Sequence, residues 1–283
     1  MKIKYLNQEK ICNQYIAKES PYKIAKENSC SAHLIYKILA KNNIKIRNPS
    51  EARQEYEINN NIFESINCEW KAYFLGFLLA DGNVHRNVIS ITLNSKDREV
   101  LDIFNNIIFN NKKPLYITKP SESVRKNGKI VQEGEKVSFQ INNKKICEDL
   151  LKWGLTPRKS SNVKFPENFP EHLLNHFIRG YFDGDGWIME KQTTNEFGVI
   201  SSESFIVSLK EVLEKRLNIK CYIYIEKEMR RLKAFRKEYI LKLNEYLYKD
   251  STIFLNRKRN KFKEIVSKIN GSLLLRGETL KSP

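Results

Sequence analysis

Apolar residues recur along this chain at two spacings, and the change between them predicts its secondary structure. Between residues 6 and 41 they return every three or four positions, which is typical of amphipathic helices. Beyond residue 67, helical stretches alternate with segments in which every second residue is apolar, as in Val88–Asn94, a pattern typical of half-buried strands. The chain is therefore predicted to have a small all-α segment followed by a larger α+β region.

The first segment, residues 1–47, is predicted to hold three short helices. Ser20-Pro21 and Ser31 can begin the second and third of them. This order, with a tight turn before the last helix, resembles the helix-turn-helix of resolvase-like and transposase-like proteins. The second helix of such a unit enters the major groove, although a purely structural helical domain is the alternative. The side chains that would face DNA are Ser31, Ala32, His33, Tyr36 and Lys37.

The rest of the chain is predicted to be a linker, two similar halves and a tail. Residues 48–67 are polar with little periodicity, and residues 271–283 form the tail. The halves, 68–165 and 166–270, each show the order helix, two strands, helix, two strands, helix. The strands are predicted at 88–94, 115–117 and 137–141, and at 187–189, 197–201, 220–226 and 239–243. Basic stretches at 119–136 and 227–237 are predicted to be loops.

One short segment opens each half: FLGFLLADG ends at Gly82, and IRGYFDGDG ends at Gly186. In both, small residues at i and i+4 share a helical face, which lets two helices approach backbone to backbone. Each helix is predicted to end at its Asp, with Gly as the residue after it. Asp81 and Asp185 would then lie at helix C-termini, where the dipole disfavours an anion. Pairing of the helices would bring the carboxylates together, which points to a bound divalent cation.

Charge and cysteine content narrow the class of protein. The 283 residues carry 50 Lys and Arg against 33 Asp and Glu, a formal net charge of +17. Such an excess favours a polyanionic partner, most simply nucleic acid, while the compositional bias of an AT-rich genome is the alternative. The five cysteines are scattered, so they indicate neither a zinc site nor a disulfide framework. With no signal peptide and no apolar run of membrane-spanning length, an intracellular, cytoplasmic protein is expected.

The doubled segment, its spacing and the repeated order of elements resemble the LAGLIDADG homing endonucleases over residues 68–270. The resemblance implies two pseudo-symmetric αββαββα repeats whose motif helices pair and whose sheets form a saddle over double-stranded DNA. It implies a monomer acting on a long, pseudo-palindromic or asymmetric target. It also implies cleavage of both strands across the minor groove, leaving short 3′ overhangs.

The resemblance assigns roles residue by residue. The ligands for Mg²⁺ (or Mn²⁺, with Ca²⁺ bound without cleavage) would be Asp81 and Asp185, helped by the carbonyls of Ala80 and Gly184. The catalytic basic residues would be Lys159 and Lys258, and Ser95 and Ser202 would position water. The side chains that would read bases are Ser90, Thr92, Ser138, Gln140, Asn142, Tyr222, Tyr224 and Lys242, with a solvated sheet face as the rival explanation. At the sixth motif position the two copies differ, with Leu79 in one and Asp183 in the other.

Three functions are compatible with this pattern. The favoured one is a site-specific, metal-dependent DNA endonuclease of the homing type. A non-cleaving DNA-binding regulator derived from such an enzyme would keep the fold and the helix-turn-helix. An RNA maturase that assists intron splicing is the third.

Overall fold

A computed structural model of the chain describes residues 6–47, 56–124, 128–157, 162–192 and 194–274. The chain divides into two units, Met1–Ile58 and Asn59–Pro283. The division falls within the predicted linker, of which residues 48–55 lie outside the described ranges.

Within its described residues, the first unit has three short helices, as predicted: α1 (Gln8–Ile16), α2 (Pro21–Glu27) and α3 (Ala32–Lys41). A side chain caps the N-terminus of each helix, and those of α2 and α3 are Ser20 and Ser31. The helices bury a small shared core around Ile11, Ile24 and Ile35. Its identity as a DNA-binding helix-turn-helix stays a prediction.

The second unit begins with the first repeat. Its helices are α4 (Glu69–Asp81), α5 (Arg98–Phe109) and α6 (Lys144–Lys152). Its strands are β1 (Gly82–His85), β2 (Val88–Asn94), β3 (Tyr116–Thr118), β4 (Ser121–Val124), β5 (Ile130–Glu133) and β6 (Lys136–Asn142). An antiparallel sheet has the order β1-β2-β6-β3. The loop prediction for 119–136 is wrong, because β4 and β5 pair there as a separate hairpin.

The second repeat has the same arrangement. Its helices are α7 (Leu174–Asp185), α8 (Glu203–Leu217), α9 (Lys237–Tyr248) and α10 (Asn256–Leu274). Its strands are β7 (Gly186–Glu190), β8 (Asn195–Ser201), β9 (Tyr222–Glu226) and β10 (Met229–Ala234), in the sheet order β7-β8-β10-β9. All pairs are antiparallel, and the α+β prediction is confirmed.

Two predictions for the second repeat are wrong. The last strand is 229–234 and not 239–243, since residues 239–243 belong to α9. Ile240, Leu243 and Leu247 are all fully buried, and their spacing of three and four is helical. The loop predicted at 227–237 is also wrong, because residues 229–234 form β10. Leu232 and Ala234 alternate there with cationic residues, and they form the buried face of the strand.

Each sheet buries one face beneath the helices of its repeat. Aromatic stacking joins the first helix of each repeat to the second: Phe74 lies 4.1 Å from Phe104, and Tyr181 lies 4.0 Å from Phe205, measured between ring centroids. No helix in the described part of the chain has both the length and the apolar composition needed to cross a membrane.

Candidate catalytic centre

The two motif helices, α4 and α7, pack against each other through their backbones. A Cβ atom on Gly76 would lie 2.0 Å from the carbonyl oxygen of Phe177, and one on Gly180 would lie 1.9 Å from that of Tyr73. Each carbonyl belongs to the residue three positions before the opposite glycine, so the contact has a local two-fold symmetry. Only glycine fits at this separation, which explains the small residues of the repeated segment.

Both helices end at their aspartate, as predicted, but the following glycines are needed for a different reason. Gly82 has φ −73° and ψ 154°, and Gly186 has φ −100° and ψ 169°. Both are extended and not left-handed, since each strand begins directly where its helix stops. A Cβ on Gly82 would lie 2.6 Å from the carbonyl oxygen of Leu78 in the preceding turn.

The ends of the two helices, which carry the acids, lie against each other. A Cβ on Gly184 would lie 2.3 Å from the Cβ of Ala80 and 3.1 Å from Oδ2 of Asp81, so the C-terminus of α7 contacts the first carboxylate. Burial raises the pKa of Tyr181, and the carboxylates of Asp185 and Asp81 both raise it further. The hydroxyl of Tyr181 is therefore close enough to both carboxylates for their charges to affect its pKa.

Tyr181 is a site residue that the sequence reasoning missed. Its hydroxyl donates a 2.7 Å hydrogen bond to Oγ of Ser201, at the end of β8. It directly follows Gly180 of the motif, and this position beside the helix contact is the signal that could have identified it.

Lys258 is buried beside the acids, with 5% of its surface exposed. Its ammonium donates to the carbonyl oxygens of Phe182, Asp183 and Gly184, at 2.6, 2.7 and 3.1 Å. These carbonyls belong to the last turn of α7, where intrahelical donors run out, although Phe182 also accepts from the backbone N–H of Gly186. A cation there also offsets the helix dipole. Because an ammonium has three donors, all of them hold the helix end. Burial lowers the pKa of Lys258 to about 8, although nearby carboxylates act in the opposite direction.

Asp183, the extra acid of the second motif, links α7 by hydrogen bonds to α4 and to the residue before α10. Its Oδ2 accepts a 2.9 Å hydrogen bond from the hydroxyl of Tyr73 and a 2.8 Å hydrogen bond from the backbone N–H of Leu255. Burial raises the pKa of this carboxyl to about 6, although Lys258 acts in the opposite direction. The bond to Tyr73 joins α7 to α4.

A buried arginine links the same two helices to the last turn of α9 and to the chain that follows it. Arg179, fully buried on α7, donates to the carbonyl oxygens of Ile253 and Leu247, both at 2.8 Å. Its other guanidinium nitrogen lies 2.6 Å from Oε1 of Glu69, in the first turn of α4. Glu69 also accepts a 2.7 Å bond from the backbone N–H of Thr252.

Residues 249–258, which we name the strap, extend these contacts to the first repeat. The backbone N–H of Asn256 donates to Glu99 at 2.8 Å. Arg257 forms a bidentate pair with Asp97, at 2.7 and 2.9 Å. A segment of the second repeat is thus hydrogen-bonded to both α4 and the start of α5.

The other residues predicted to be catalytic or to position water are Lys159, Ser95 and Ser202. Lys159 lies outside the described residues. Ser95 begins a short 3-10 turn and is half-buried. Ser202 is buried, where its hydroxyl donates to the carbonyl of Val163 and caps α8 by accepting from the N–H of Phe205. Its hydroxyl is engaged with the backbone, so the geometry offers no support for a water-positioning role.

The strand residues lie largely where they were predicted. Ser90, Thr92, Ser138, Gln140 and Asn142 share the outer face of the first sheet, and register pairs Ser90 with Gln140 and Thr92 with Ser138. Tyr222 and Tyr224 are exposed on β9.

Lys242 is the exception among these residues. It lies on α9, and its ammonium donates to the carbonyl oxygens of Leu217 and Asn218, at 2.9 and 3.2 Å. Its assignment to a base-reading strand face is wrong, because it holds the C-terminal end of α8.

In the first unit, the residues predicted to face DNA lie on or next to α3. His33 and Lys37 are exposed and Tyr36 is half-buried. The Ser31 hydroxyl is exposed, and it accepts the N-cap hydrogen bond from Leu34 at 3.3 Å.

The donor set at the paired helix ends fits a hard cation such as Mg²⁺. Within the described ranges, no group of three or more His, Cys, Asp or Glu side chains could hold a metal. Asp81 and Asp185 offer two carboxylates, and Mg²⁺ commonly takes one or two carboxylates, keeps several waters and uses phosphates of the substrate. The carbonyl of Gly184, a predicted helper, already accepts from Lys258.

The chain is similar to a known protein family and to solved structures. Residues 173–248 match the family described as LAGLIDADG-like domain. The structure is similar to that of the homing endonuclease I-WcaI bound to its DNA recognition sequence, with 13% identity over 77% of this chain and 96% of that chain, and a TM-score of 0.50. The N-terminal LAGLIDADG domain of DUF199/WhiA was also found, at 16% identity over 67% and 89% of the two chains, with a TM-score of 0.42.

Among curated proteins, the probable translation initiation factor IF-2 of Methanocaldococcus jannaschii is 29% identical over 213 residues. The match covers 71% of this chain but only 16% of that protein. Residues 173–248 therefore match the LAGLIDADG-like domain family, and the structure shares the two-repeat fold of a LAGLIDADG homing endonuclease.

Proposed function

We propose that this protein is a site-specific, metal-dependent endonuclease that cuts both strands of a DNA duplex. The observation that carries the proposal is the backbone contact between α4 and α7, the two helices that end at Asp81 and Asp185. Two carboxylates at helix C-termini are unfavourable without a cation. The net charge of +17 supports a polyanionic partner.

The chain's own residues have separable tasks in this reaction. Asp81 and Asp185 hold the cation and face the scissile phosphates across the minor groove, one acid for each strand. A divalent ion held by these two acids would supply activation of water and stabilisation of the attacking and leaving oxygens of an in-line displacement. Lys258 fixes the end of α7, so it positions Asp185 and is not itself the acid or base. Cleavage leaves short 3′ overhangs.

A selection with a carboxylate substitution tests this proposal. A random duplex library is incubated with the protein and MgCl₂, and the cleaved ends are sequenced. We expect the parent protein to enrich one site, and Asp81→Asn and Asp185→Asn to leave that site uncut while still binding it. Asp102→Asn on α5 is the matched control, since this exposed acid pairs with Arg98 and is remote from the motif helices in sequence. Normal cutting of both strands by both motif variants would refute the proposal.

A non-cleaving DNA-binding protein is the second candidate. The observation that favours it is Lys258, whose three donors are all engaged with backbone carbonyls. Tight binding of one duplex, with no cleavage in Mg²⁺ or Mn²⁺, would establish this alternative.

A further inference from the structure

The outer faces of the two sheets differ in chemistry although their topologies match. The middle of the first sheet presents neutral hydroxyl and amide groups in register, with Ser90 opposite Gln140 and Thr92 opposite Ser138. Lys136, at the start of β6 on the same face, is paired with Glu133. Gln140 is exposed, and an amide of this kind can bond an adenine edge in bidentate fashion. The hydroxyls of Thr92 and Ser138 bond each other at 2.8 Å, and each oxygen can still accept a further hydrogen bond.

The outer face of the second sheet is closed by an aromatic side chain. The indole of Trp187 lies across Gly198 on the neighbouring strand, where a Cβ would come within 2.2 Å of the ring. The ring therefore covers Gly198 on β8, the strand whose counterpart in the first sheet is β2 with Ser90 and Thr92.

The polar groups around Trp187 already have partners within the protein. Glu196 is 2% exposed and accepts from the indole N–H at 2.9 Å and from the ammonium of Lys233 at 3.0 Å. Lys191 also donates to it. Burial disfavours the charge of this carboxylate, but these hydrogen bonds more than offset burial and lower the pKa of Glu196 to about 2.

The cations of this face are held over aromatic rings. Lys233 lies 5.3 Å from the ring centre of Tyr224 and 5.9 Å from that of Trp187. Arg231 lies 5.8 Å from the Trp187 ring and 3.2 Å from Glu226. The indole N–H and the ammonium of Lys233 already bond to Glu196 and are therefore less available to base edges. The guanidinium of Arg231 has five N–H donors and can bond a phosphate as well as Glu226.

We propose that the two sheets divide the recognition of DNA: the first sheet reads base sequence, and the second holds the backbone with little base preference. This inference rests on the proposed function as a DNA-binding protein. One half of the target should therefore be stringent and the other tolerant. Glu196 would limit non-specific attraction by neutralising Lys191 and Lys233.

The test is a binding selection with the full chain in CaCl₂, from a random duplex library, followed by measurement of base preference at every position. We expect strong preferences in one half-site and weak ones in the other. Equal stringency in both halves would overturn the inference while leaving the proposed function intact. Failure to bind any duplex would overturn both.

Single variants identify which sheet contacts which half. Gln140→Ala should reduce the preference for one base, by about tenfold, and leave binding to scrambled duplex unchanged. Arg231→Ala should weaken binding to selected and scrambled duplex alike. It should also reduce the slope of log K against log salt concentration by about one. Glu196→Gln should tighten binding to both without changing base preference.

Lys215→Ala is the matched control for Arg231→Ala. Lys215 is an exposed cation on α8, and that helix packs on the opposite face of the second sheet. The control should leave affinity and salt dependence unchanged. The inference fails if Arg231→Ala alters the base preference at particular positions, or if Gln140→Ala weakens binding to all sequences equally.

Discussion

Replacing Gly180 by alanine tests the backbone contact that brings the two acids together. The added methyl would stand 1.9 Å from the carbonyl oxygen of Tyr73 and 3.0 Å from the backbone nitrogen of Phe77. Both obstacles are backbone atoms of α4, so no side-chain rotation relieves the overlap. An ordinary contact begins near 3.4 Å, so the helices must separate by more than 1 Å.

The energetic cost follows from that separation. A gap of 0.5–1 Å already forfeits about a quarter to a half of the dispersion attraction between facing atoms, and overpacked cores typically lose about 1–3 kcal/mol. Alanine in a helix returns about 0.5–1 kcal/mol relative to glycine. We expect Gly180→Ala to lower the free energy of unfolding by about 2 kcal/mol and to reduce DNA cleavage, because the carboxylates move apart.

Gly271→Ala is the matched control, with the same chemical change at an open position of α10. A Cβ there meets nothing within 4 Å. The higher helix propensity of alanine is then the sole effect, and it should raise the free energy of unfolding by about 0.5–1 kcal/mol. Urea denaturation with an unchanged m-value measures both variants. The reasoning is refuted if Gly180→Ala is as stable as Gly271→Ala.

Three further predictions address the charged groups and the first unit. Lys258→Met should lower the free energy of unfolding by about 3 kcal/mol, since three buried carbonyls lose their donor; a loss below about 1 kcal/mol in urea denaturation would contradict this. Burial raises the pKa of Asp183 to about 6, so the folded protein keeps this proton after the unfolded chain has released it. Its contribution to stability is complete below about pH 4 and is lost as the pH rises to 6. Asp183→Asn should flatten that decline, and parallel slopes for parent and variant would count against it. Removing residues 1–58 should weaken duplex binding and shorten the footprint without stopping cleavage; a footprint of unchanged length would show that the first unit contacts no DNA.

The sequence predicted the features that depend on local periodicity. The strands at 88–94 and 137–141, and the helix ends at Asp81 and Asp185, lie where alternation and the repeated segment indicated. The strand predicted at 239–243 failed because Tyr239, Ile240 and Leu241 favour a strand when read alone. The helical spacing becomes visible only when Leu247 is included.

The roles of the charged residues were harder to predict. Lys258 lies at the end of α7, but a lysine that caps a helix and one that contacts a phosphate can occupy the same place in the chain, so the spacing does not distinguish the two roles. Lys242 was assigned through the wrong strand, and the buried contacts of Arg179 join segments far apart in sequence. Such roles depend on tertiary packing, which a single sequence does not encode in any short pattern.

The strap couples the unfolding of the two repeats. Because Thr252, Asn256 and Arg257 of the second repeat bond to Glu69, Glu99 and Asp97 of the first, neither repeat can open without breaking charged hydrogen bonds of the other. The second unit should therefore unfold as a single cooperative block. A hybrid that joins one repeat to a foreign partner would retain the glycine contact but lose this link, unless the acids at 69, 97 and 99 were transplanted with the strap.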